Sequence, residues 1–177
     1  MASRPATDVD WPVHQVFELL HEALVVTEAE LDLPGPRILY ANPAFSRMTG
    51  YSLEEILGQT PRFLQGPETD RRTIARLRRC LESGETFNGE AINYRKDGTP
   101  FMMRWYIEPI RAADGCITHF FAVQRDVTQE LAANTQQRAL EQAIEQLDDS
   151  VVLFGRDGRV GYVNDAFRRS WSGSEEP

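Results

Sequence analysis

The residues best suited to chemistry are five arginines within a short segment that runs from position 71 to position 79. They are Arg71, Arg72, Arg76, Arg78 and Arg79. Ile74 and Leu77 lie among them at helical spacing, which predicts a helix. The whole chain carries a formal net charge of −8, so a local cluster of guanidinium groups indicates a site for a small anion. A solvated helix face also explains a run of charges, and the sequence leaves both interpretations open.

Other reactive residue types show no catalytic arrangement. The three histidines, His14, His21 and His119, lack metal-ligand spacing, and Cys80 and Cys116 form no recognisable disulfide or metal pattern. No Ser-His-Asp order, phosphate-binding glycine loop or pair of carboxylates stands out. We therefore expect a binding module without enzymatic activity of its own.

Composition excludes several classes of protein. Hydrophobic residues make up 41% of the chain and charged residues 26%, as is typical of folded globular proteins. The longest apolar runs are far shorter than the roughly 20 residues that cross a bilayer, and the first residues lack the apolar segment of a secretory signal. The acidic charge would repel a nucleic-acid backbone. We expect a cytoplasmic protein that binds neither membranes nor nucleic acids.

Hydrophobic patterning predicts an α+β domain with a five-stranded antiparallel sheet. An amphipathic helix in residues 11–22 leads into the domain. Five β-prone runs follow: residues 23–27, 37–40, 86–94, 100–110 and 116–124. Short helices between the second and third runs begin at Asn42-Pro43 and at Ser52, which with Glu55 forms a capping box. We expect these helices to cover one face of the sheet.

A long helix is predicted after the last strand. Residues 126–149 contain neither glycine nor proline, and one stripe recurs at spacings of four and three: Ala133, Gln137, Leu140, Ile144 and Leu147. Such a stripe indicates a coiled coil, and hence a parallel homodimer, with the helix of residues 11–22 as a second candidate contact. The alternative is that the stripe packs back on the domain's own sheet.

The end of the chain repeats the beginning of the domain. Arg-Val-Gly-Tyr-Val-Asn-Asp-Ala-Phe at 159–167 parallels Arg-Ile-Leu-Tyr-Ala-Asn-Pro-Ala-Phe at 37–45. About 28 residues cannot bury a core of their own, so we expect the natural protein to continue into a complete second copy and an output domain. Four segments result: an N-terminal extension with a cap helix, the core, a linker helix and a truncated second domain. Their bounds are residues 1–22, 23–127, 128–149 and 150–177.

The most specific string is Gly-Gln-Thr-Pro-Arg-Phe-Leu-Gln-Gly-Pro-Glu-Thr-Asp at residues 58–70. With residues 40–45, 92–94 and 123–124, it resembles the light-oxygen-voltage (LOV) class of PAS domains, small sensors that hold a flavin. The resemblance covers residues 23–127. It implies the PAS fold, FMN as cofactor with FAD as the alternative, and a blue-light or redox sensory function in a larger signalling protein. The alternative is a PAS module without flavin that dimerises or binds another small ligand.

The resemblance assigns flavin-binding roles to individual residues. Arg62 and Arg78 would grip the flavin phosphate, and Arg78 belongs to the arginine cluster already indicated as an anion site. Gln65 would contact the ribityl chain, and Asn93 would hydrogen-bond the polar edge of the ring. Gln124 would face flavin O4 and N5, where its amide can offer either a donor or an acceptor.

Three positions depart from the family pattern. Pro61 stands where the family has the cysteine that forms a photochemical adduct, and proline has no nucleophile; Cys80 and Cys116 lie elsewhere in the pattern. Met103 replaces a second ring-binding asparagine, which predicts weakened flavin binding through the loss of one or two hydrogen bonds. Thr60 replaces a further asparagine and keeps a hydroxyl for one sugar contact. Pro61 also favours the flavin-free alternative.

Without the thiol, the resemblance implies photoreduction of the flavin to its neutral semiquinone. The electron would come from a side chain on the strands of the predicted pocket, although sheet packing is the simpler explanation of each candidate. The candidates are Trp105, Tyr94, Tyr106 and Met103. A proton at N5 would then make the Gln124 amide rotate. Only two residues separate Gln124 from Val127, near the start of the linker helix, so the rotation would bias that helix.

Overall fold

The computed structural model of the chain describes residues 13–172. It divides into two compact units, of which the first ends at Thr128 and the second begins at Gln129. The strands are β1 (Ala23–Glu28), β2 (Ile38–Ala41), β3 (Phe87–Tyr94), β4 (Pro100–Arg111), β5 (Ile117–Asp126), β6 (Val152–Phe154) and β7 (Val160–Val163). The helices are α1 (Val13–Leu19), α2 (Pro43–Thr49), α3 (Leu53–Ile56), α4 (Arg71–Ser83), α5 (Thr128–Glu145) and α6 (Asp165–Ser172), with a 3₁₀ helix at Pro61–Leu64.

The first unit contains the predicted five-stranded antiparallel sheet. Its strand order is β2-β1-β5-β4-β3, so β1 lies between the two strands that it pairs with, β2 and β5. The last three strands form the expected meander, which turns at two left-handed glycines, Gly98 and Gly115, with φ of 83° and 86°. The predicted α+β architecture with a five-stranded antiparallel sheet is confirmed.

Local capping chemistry sets the helix boundaries. Asn42 caps α2, where Pro43 occupies the first turn, and Gly50 ends that helix in the left-handed conformation. Ser52 and Glu55 form both hydrogen bonds of the predicted capping box at α3. Asp70 caps the arginine-rich α4. The helix predicted in residues 11–22 begins outside the described residues, and its described part is α1.

The core lies on the face of the sheet that the helices cover. Its largest fully buried side chains include Phe45, Ile56 and Leu64 from the helical segment and Phe87 and Phe101 from the strands. Along β4 the buried residues alternate with more exposed ones, as expected when one sheet face packs on a core. This alternation determines which β4 side chains lie on the face between the sheet and the helices.

A buried asparagine ties the entry helix of the first unit to its sheet. Asn42 is fully buried, and its Oδ1 accepts hydrogen bonds from the backbone N–H groups of Leu24 and Phe45. Its Nδ2 donates to the carbonyl oxygens of Phe17 and Glu22, at 3.0 and 2.9 Å. All four partners are backbone groups, of which the Phe45 N–H also donates to the Asn42 carbonyl oxygen at 3.0 Å.

The second unit repeats this arrangement with different residues. Asn164 Oδ1 accepts from the backbone N–H groups of Val151 and Phe167. Asn164 Nδ2 donates to the carbonyl oxygens of Ile144 and Asp149, at 3.1 and 2.9 Å. The last turn of α5 therefore contacts the β6–β7 hairpin in the same way that α1 contacts the β1–β2 hairpin. The predicted linker segment 128–149 is helical only as far as Glu145.

Candidate ligand-binding cavity

A cavity of about 360 Å³ lies between the sheet and the helices of the first unit. Its volume is within the usual range of small-molecule sites, about 300 to 1,000 Å³. Six of the seven side chains that the sequence assigned to flavin binding line it: Arg62, Gln65, Arg78, Asn93, Met103 and Gln124. The seventh, Thr60, precedes the 3₁₀ helix without a side-chain capping bond and is not among the described residues that line the cavity.

The sheet contributes two buried amide side chains. Asn93 is 1% exposed, and its Nδ2 donates to the carbonyl oxygen of Ala91 at 3.2 Å. Gln124 is 4% exposed, and its Oε1 is buried without a hydrogen-bond partner in the part of the chain that the structure describes. An unsatisfied buried acceptor costs about 1 to 3 kcal/mol. The cavity thus offers a donor-bearing ligand a carbonyl oxygen that needs a partner.

The helical side of the cavity contributes three guanidinium groups. Arg62 and Arg78 line it as predicted, and Arg71 lines it too. The Arg62 side chain lies against the β1–β2 loop, since a Cβ built at Gly35 would be 3.1 Å from Arg62 Nε. Arg71 belongs to the arginine cluster that indicated an anion site, but nothing in its spacing distinguished it from its neighbours.

Two carboxylates already engage one of these arginines. Arg78 Nη2 lies 3.2 Å from Asp32 Oδ1, and Arg78 Nε lies 2.6 Å from Glu82 Oε1. Arg78 Nη1 also donates to the carbonyl oxygen of Leu31 at 3.2 Å. An anionic ligand that binds Arg78 must therefore compete with Asp32 and Glu82. Spacing along the chain did not predict these contacts.

The cavity lining contains no thiol. Pro61 lines it and begins the 3₁₀ helix Pro61–Leu64, a position where its fixed φ is favourable. Both cysteines lie within the described residues, and neither lines the cavity: Cys80 packs against the core from α4, and Cys116 is exposed.

The four candidate electron donors separate into two groups. Met103 and Trp105 line the cavity and are 2% and 5% exposed. Tyr106 is 44% exposed, as the alternation along β4 requires. Its hydroxyl donates to Glu108. The Tyr94 hydroxyl accepts from the Glu68 backbone N–H at 3.1 Å, and Tyr94 does not line the described cavity. The structure therefore brings only Met103 and Trp105 to the site.

Gln124 lies two residues before Asp126, whose side chain accepts a hydrogen bond from the first residue of α5. Asp126 Oδ1 accepts from the Thr128 backbone N–H at 2.9 Å, and Oδ2 pairs with Arg95. Thr128 Oγ1 in turn accepts from the Met102 N–H at 2.8 Å. Partial burial would raise the pKa of Asp126, but hydrogen bonds from Thr128 and the Arg95 charge outweigh it and hold that pKa below its usual value. Thr128, the first residue of α5, is thereby tied to β4.

The residues around the cavity fit a flavin phosphate. Guanidinium groups suit the phosphate, and the buried amides of Asn93 and Gln124 can each offer a donor or an acceptor to a ring edge. Apolar side chains complete the lining, among them Ile74, Leu77 and Phe120. Within residues 13–172, no cluster of acidic, histidine or cysteine side chains could hold a metal ion. In the same range, no helix is both long and apolar enough to cross a bilayer.

Comparisons with known proteins show the family of the chain. The PAS domain family matches residues 23–129. A blue-light-activated histidine kinase of Brucella anthropi is 38% identical over 120 residues, 68% of this chain and 24% of the relative. Phototropin-2 of Oryza sativa subsp. japonica is 40% identical over 109 residues, 62% of this chain and 12% of the relative. Adagio protein 3 of Arabidopsis thaliana is 42% identical over 118 residues, 61% of this chain and 19% of the relative.

Two solved structures share the fold. One, described as "Flavin Analogue Sheds Light on Light-Oxygen-Voltage Domain Mechanism", has a TM-score of 0.62 and 32% identity and covers 75% of this chain and 97% of its own. The other, "Structure of an RNA-binding Light-Oxygen-Voltage Receptor", has a TM-score of 0.67 and 27% identity and covers 80% and 41%. The chain therefore belongs to the PAS domain family, within its LOV class. It spans about a quarter or less of the length of the curated relatives named above.

Proposed function

We propose that the chain is a flavin-binding sensory domain that responds to blue light or to cellular redox state. One observation carries the proposal: three arginines and two buried amide side chains line a single cavity. The relatives' names supply the blue-light stimulus, since two of them are a blue-light-activated kinase and a phototropin. FMN is the proposed cofactor, with FAD as the alternative.

Each cavity residue has a role in holding the cofactor. Arg62 and Arg78 bind the phosphate, which a guanidinium group can grip through two parallel hydrogen bonds. Gln65 contacts the ribityl chain, and Asn93 hydrogen-bonds the polar edge of the ring. Met103 packs its polarisable thioether against the ring but donates no hydrogen bond. Thr60 is the proposed sugar contact that the geometry supports least.

The proposed photochemistry proceeds without a cysteinyl adduct, because Pro61 occupies the place of the nucleophile. When bound, the flavin supplies absorption of blue light and the capacity to accept an electron. Gln124 would face N5 of a bound flavin. Its Nε2 can donate to an N5 that accepts and its Oε1 can accept from an N5 that carries a proton, so the amide would rotate between these two arrangements.

The signal leaves the sheet through the start of α5. Gln124 shares β5 with Asp126, whose hydrogen bond to Thr128 organises the first turn of that helix. No residue of α5, which is described in full, is buried; Leu140 is 61% exposed. We propose that the stripe of Ala133, Gln137, Leu140, Ile144 and Leu147 forms a parallel homodimer. We further propose that the protein is cytoplasmic and binds neither membranes nor nucleic acids, and that other domains of a larger protein carry the output.

Flavin titration of two double variants tests the proposal. Arg62→Ala plus Arg78→Ala removes the phosphate contacts, and Arg72→Ala plus Arg79→Ala removes the same charge at positions outside the cavity lining. At about 1 kcal/mol for each partly exposed contact, the first pair should weaken FMN binding about thirtyfold relative to the second. Riboflavin, which lacks the phosphate, should bind both variants alike. A wild-type protein that takes up neither FMN nor FAD would reject the proposal in favour of a flavin-free PAS module.

A further inference from the structure

One redox-active aromatic side chain lies at the cavity. Of the tryptophans and tyrosines that the structure describes, Trp105 alone lines it. It is 5% exposed, and its ring lies 6.2 Å from that of Phe87, at an interplanar angle of 49°. A ligand that fills the cavity therefore contacts an indole that is shielded from water.

Trp105 also lies beside the proposed signalling residue. In the pairing of β4 with β5, Trp105 is directly opposite Gln124. Side chains paired in this way share one sheet face, with Cβ atoms about 4.5 to 5.5 Å apart. A change of charge on the indole would thus act on the unpaired Gln124 Oε1 across a single strand spacing.

We propose that Trp105 is the electron donor to the photoexcited flavin, an inference that rests on the proposed function. One electron leaves the indole, which is oxidised to its radical cation, and enters the flavin, which is reduced by one electron. Return of that electron restores both partners, so light alone produces quenching without net chemistry. Lasting reduction requires a thiol reductant from solution to return an electron to Trp105.

The other candidates are placed less well for this role. Tyr106 projects from the opposite face of β4 and donates its hydroxyl to Glu108. The Tyr94 hydroxyl accepts from the Glu68 backbone N–H, and the Tyr94 ring lies against Gly66, where an added Cβ would overlap Tyr94 Cε2. Met103 lines the cavity, but a thioether gives up an electron less readily than an indole does.

Flavin fluorescence of FMN-loaded protein tests the assignment. Trp105→Phe should lengthen the fluorescence lifetime several-fold, because phenylalanine cannot act as a donor. Trp105→Tyr should give an intermediate lifetime, since a phenol is also oxidisable. Tyr94→Phe and Tyr106→Phe are matched controls and should leave the lifetime unchanged. A lifetime that is the same in Trp105→Phe as in the wild type, or an equal increase in either control, would overturn the assignment.

Transient absorption of the wild-type protein gives a test that needs no substitution. A tryptophan radical should form at the rate at which flavin fluorescence decays, and its absence would overturn the proposal even if Trp105→Phe failed to fold. The flavin-binding function and the Trp105 donor assignment fail on different results. If wild-type protein binds no flavin, the proposed function and the donor both fall. If it binds flavin whose fluorescence is independent of Trp105, only the donor assignment falls.

Discussion

Replacing Asp32 by asparagine should make the cavity bind FMN more tightly. Asp32 lies in the β1–β2 loop and holds an oxygen 3.2 Å from Arg78 Nη2, so its carboxylate competes with a ligand phosphate for that guanidinium group. Asparagine keeps the shape of the side chain and removes the charge. Riboflavin has no phosphate, so its affinity should not change.

The expected gain in FMN affinity follows from how exposed the Arg78 and Asp32 side chains are to solvent. The two side chains are 43% and 88% exposed, and an ion pair so accessible to water is weak. Removing it should lower the dissociation constant of FMN about two- to fivefold. Glu82 remains paired with Arg78 at 2.6 Å, so competition decreases without disappearing. The gain should shrink at high salt, because exposed charges are screened.

Parallel titrations with FMN and riboflavin, followed by quenching of flavin fluorescence, measure this difference. Glu54→Gln is the matched control, since Glu54 is exposed on α3 and its loss changes the net charge equally. Weaker FMN binding by Asp32→Asn would refute the reasoning and show that Asp32 positions Arg78 for the phosphate. Equal changes for FMN and riboflavin would also refute it.

Three further predictions concern the relay and the fold. Gln124→Leu should retain FMN but abolish the light-induced change in amide hydrogen exchange of α5; an unchanged response would exclude the relay. Asn42→Ala should lower the free energy of unfolding by about 3 kcal/mol, because three backbone groups lose their side-chain partner while the Phe45 N–H keeps the carbonyl oxygen of residue 42; urea titration against the exposed Asn88→Ala checks this. Because the pKa of Asp126 is held below the ordinary carboxyl value of 3.8, the ionised side chain stabilises the fold at pH values above 3.8. This stabilisation is lost as the pH falls through the lowered pKa. Asp126→Asn should therefore destabilise the domain by about 1 kcal/mol at pH 7 and reduce its acid sensitivity, as denaturation at two pH values would show.

Local chemistry made most elements of the first unit predictable. The capping box at Ser52, the Asn42-Pro43 helix start and the glycine turns act over four residues or fewer, so the sequence contains all the interacting groups. Alternation along β4 was equally informative. It places Met103 and Trp105 on one face and Tyr106 on the other, a distinction that the sequence analysis did not draw among its electron-donor candidates.

Long-range contacts account for what the sequence did not predict. Arg78 and Asp32 are 46 positions apart and meet only because the β1–β2 loop reaches α4. Arg71 reaches the cavity, while Thr60 does not line it, and neither fact follows from spacing along the chain. Helix α5 ends at Glu145 although its residues favour helix to position 149. There the Ile144 carbonyl oxygen accepts from the Leu147 N–H, three residues on, and from Asn164 Nδ2, 20 positions away.

Absorption spectra of the purified chain, titrated with FMN and then illuminated with blue light, test the central proposal most directly. The account predicts that FMN acquires the structured blue band of a protein-bound flavin. It further predicts that light and a thiol reductant reduce this flavin without forming a carbon–sulfur bond, so that the mass of the polypeptide is unchanged on denaturation. Failure of the folded protein to bind FMN, riboflavin or FAD would contradict the account, as would a cysteinyl adduct after illumination.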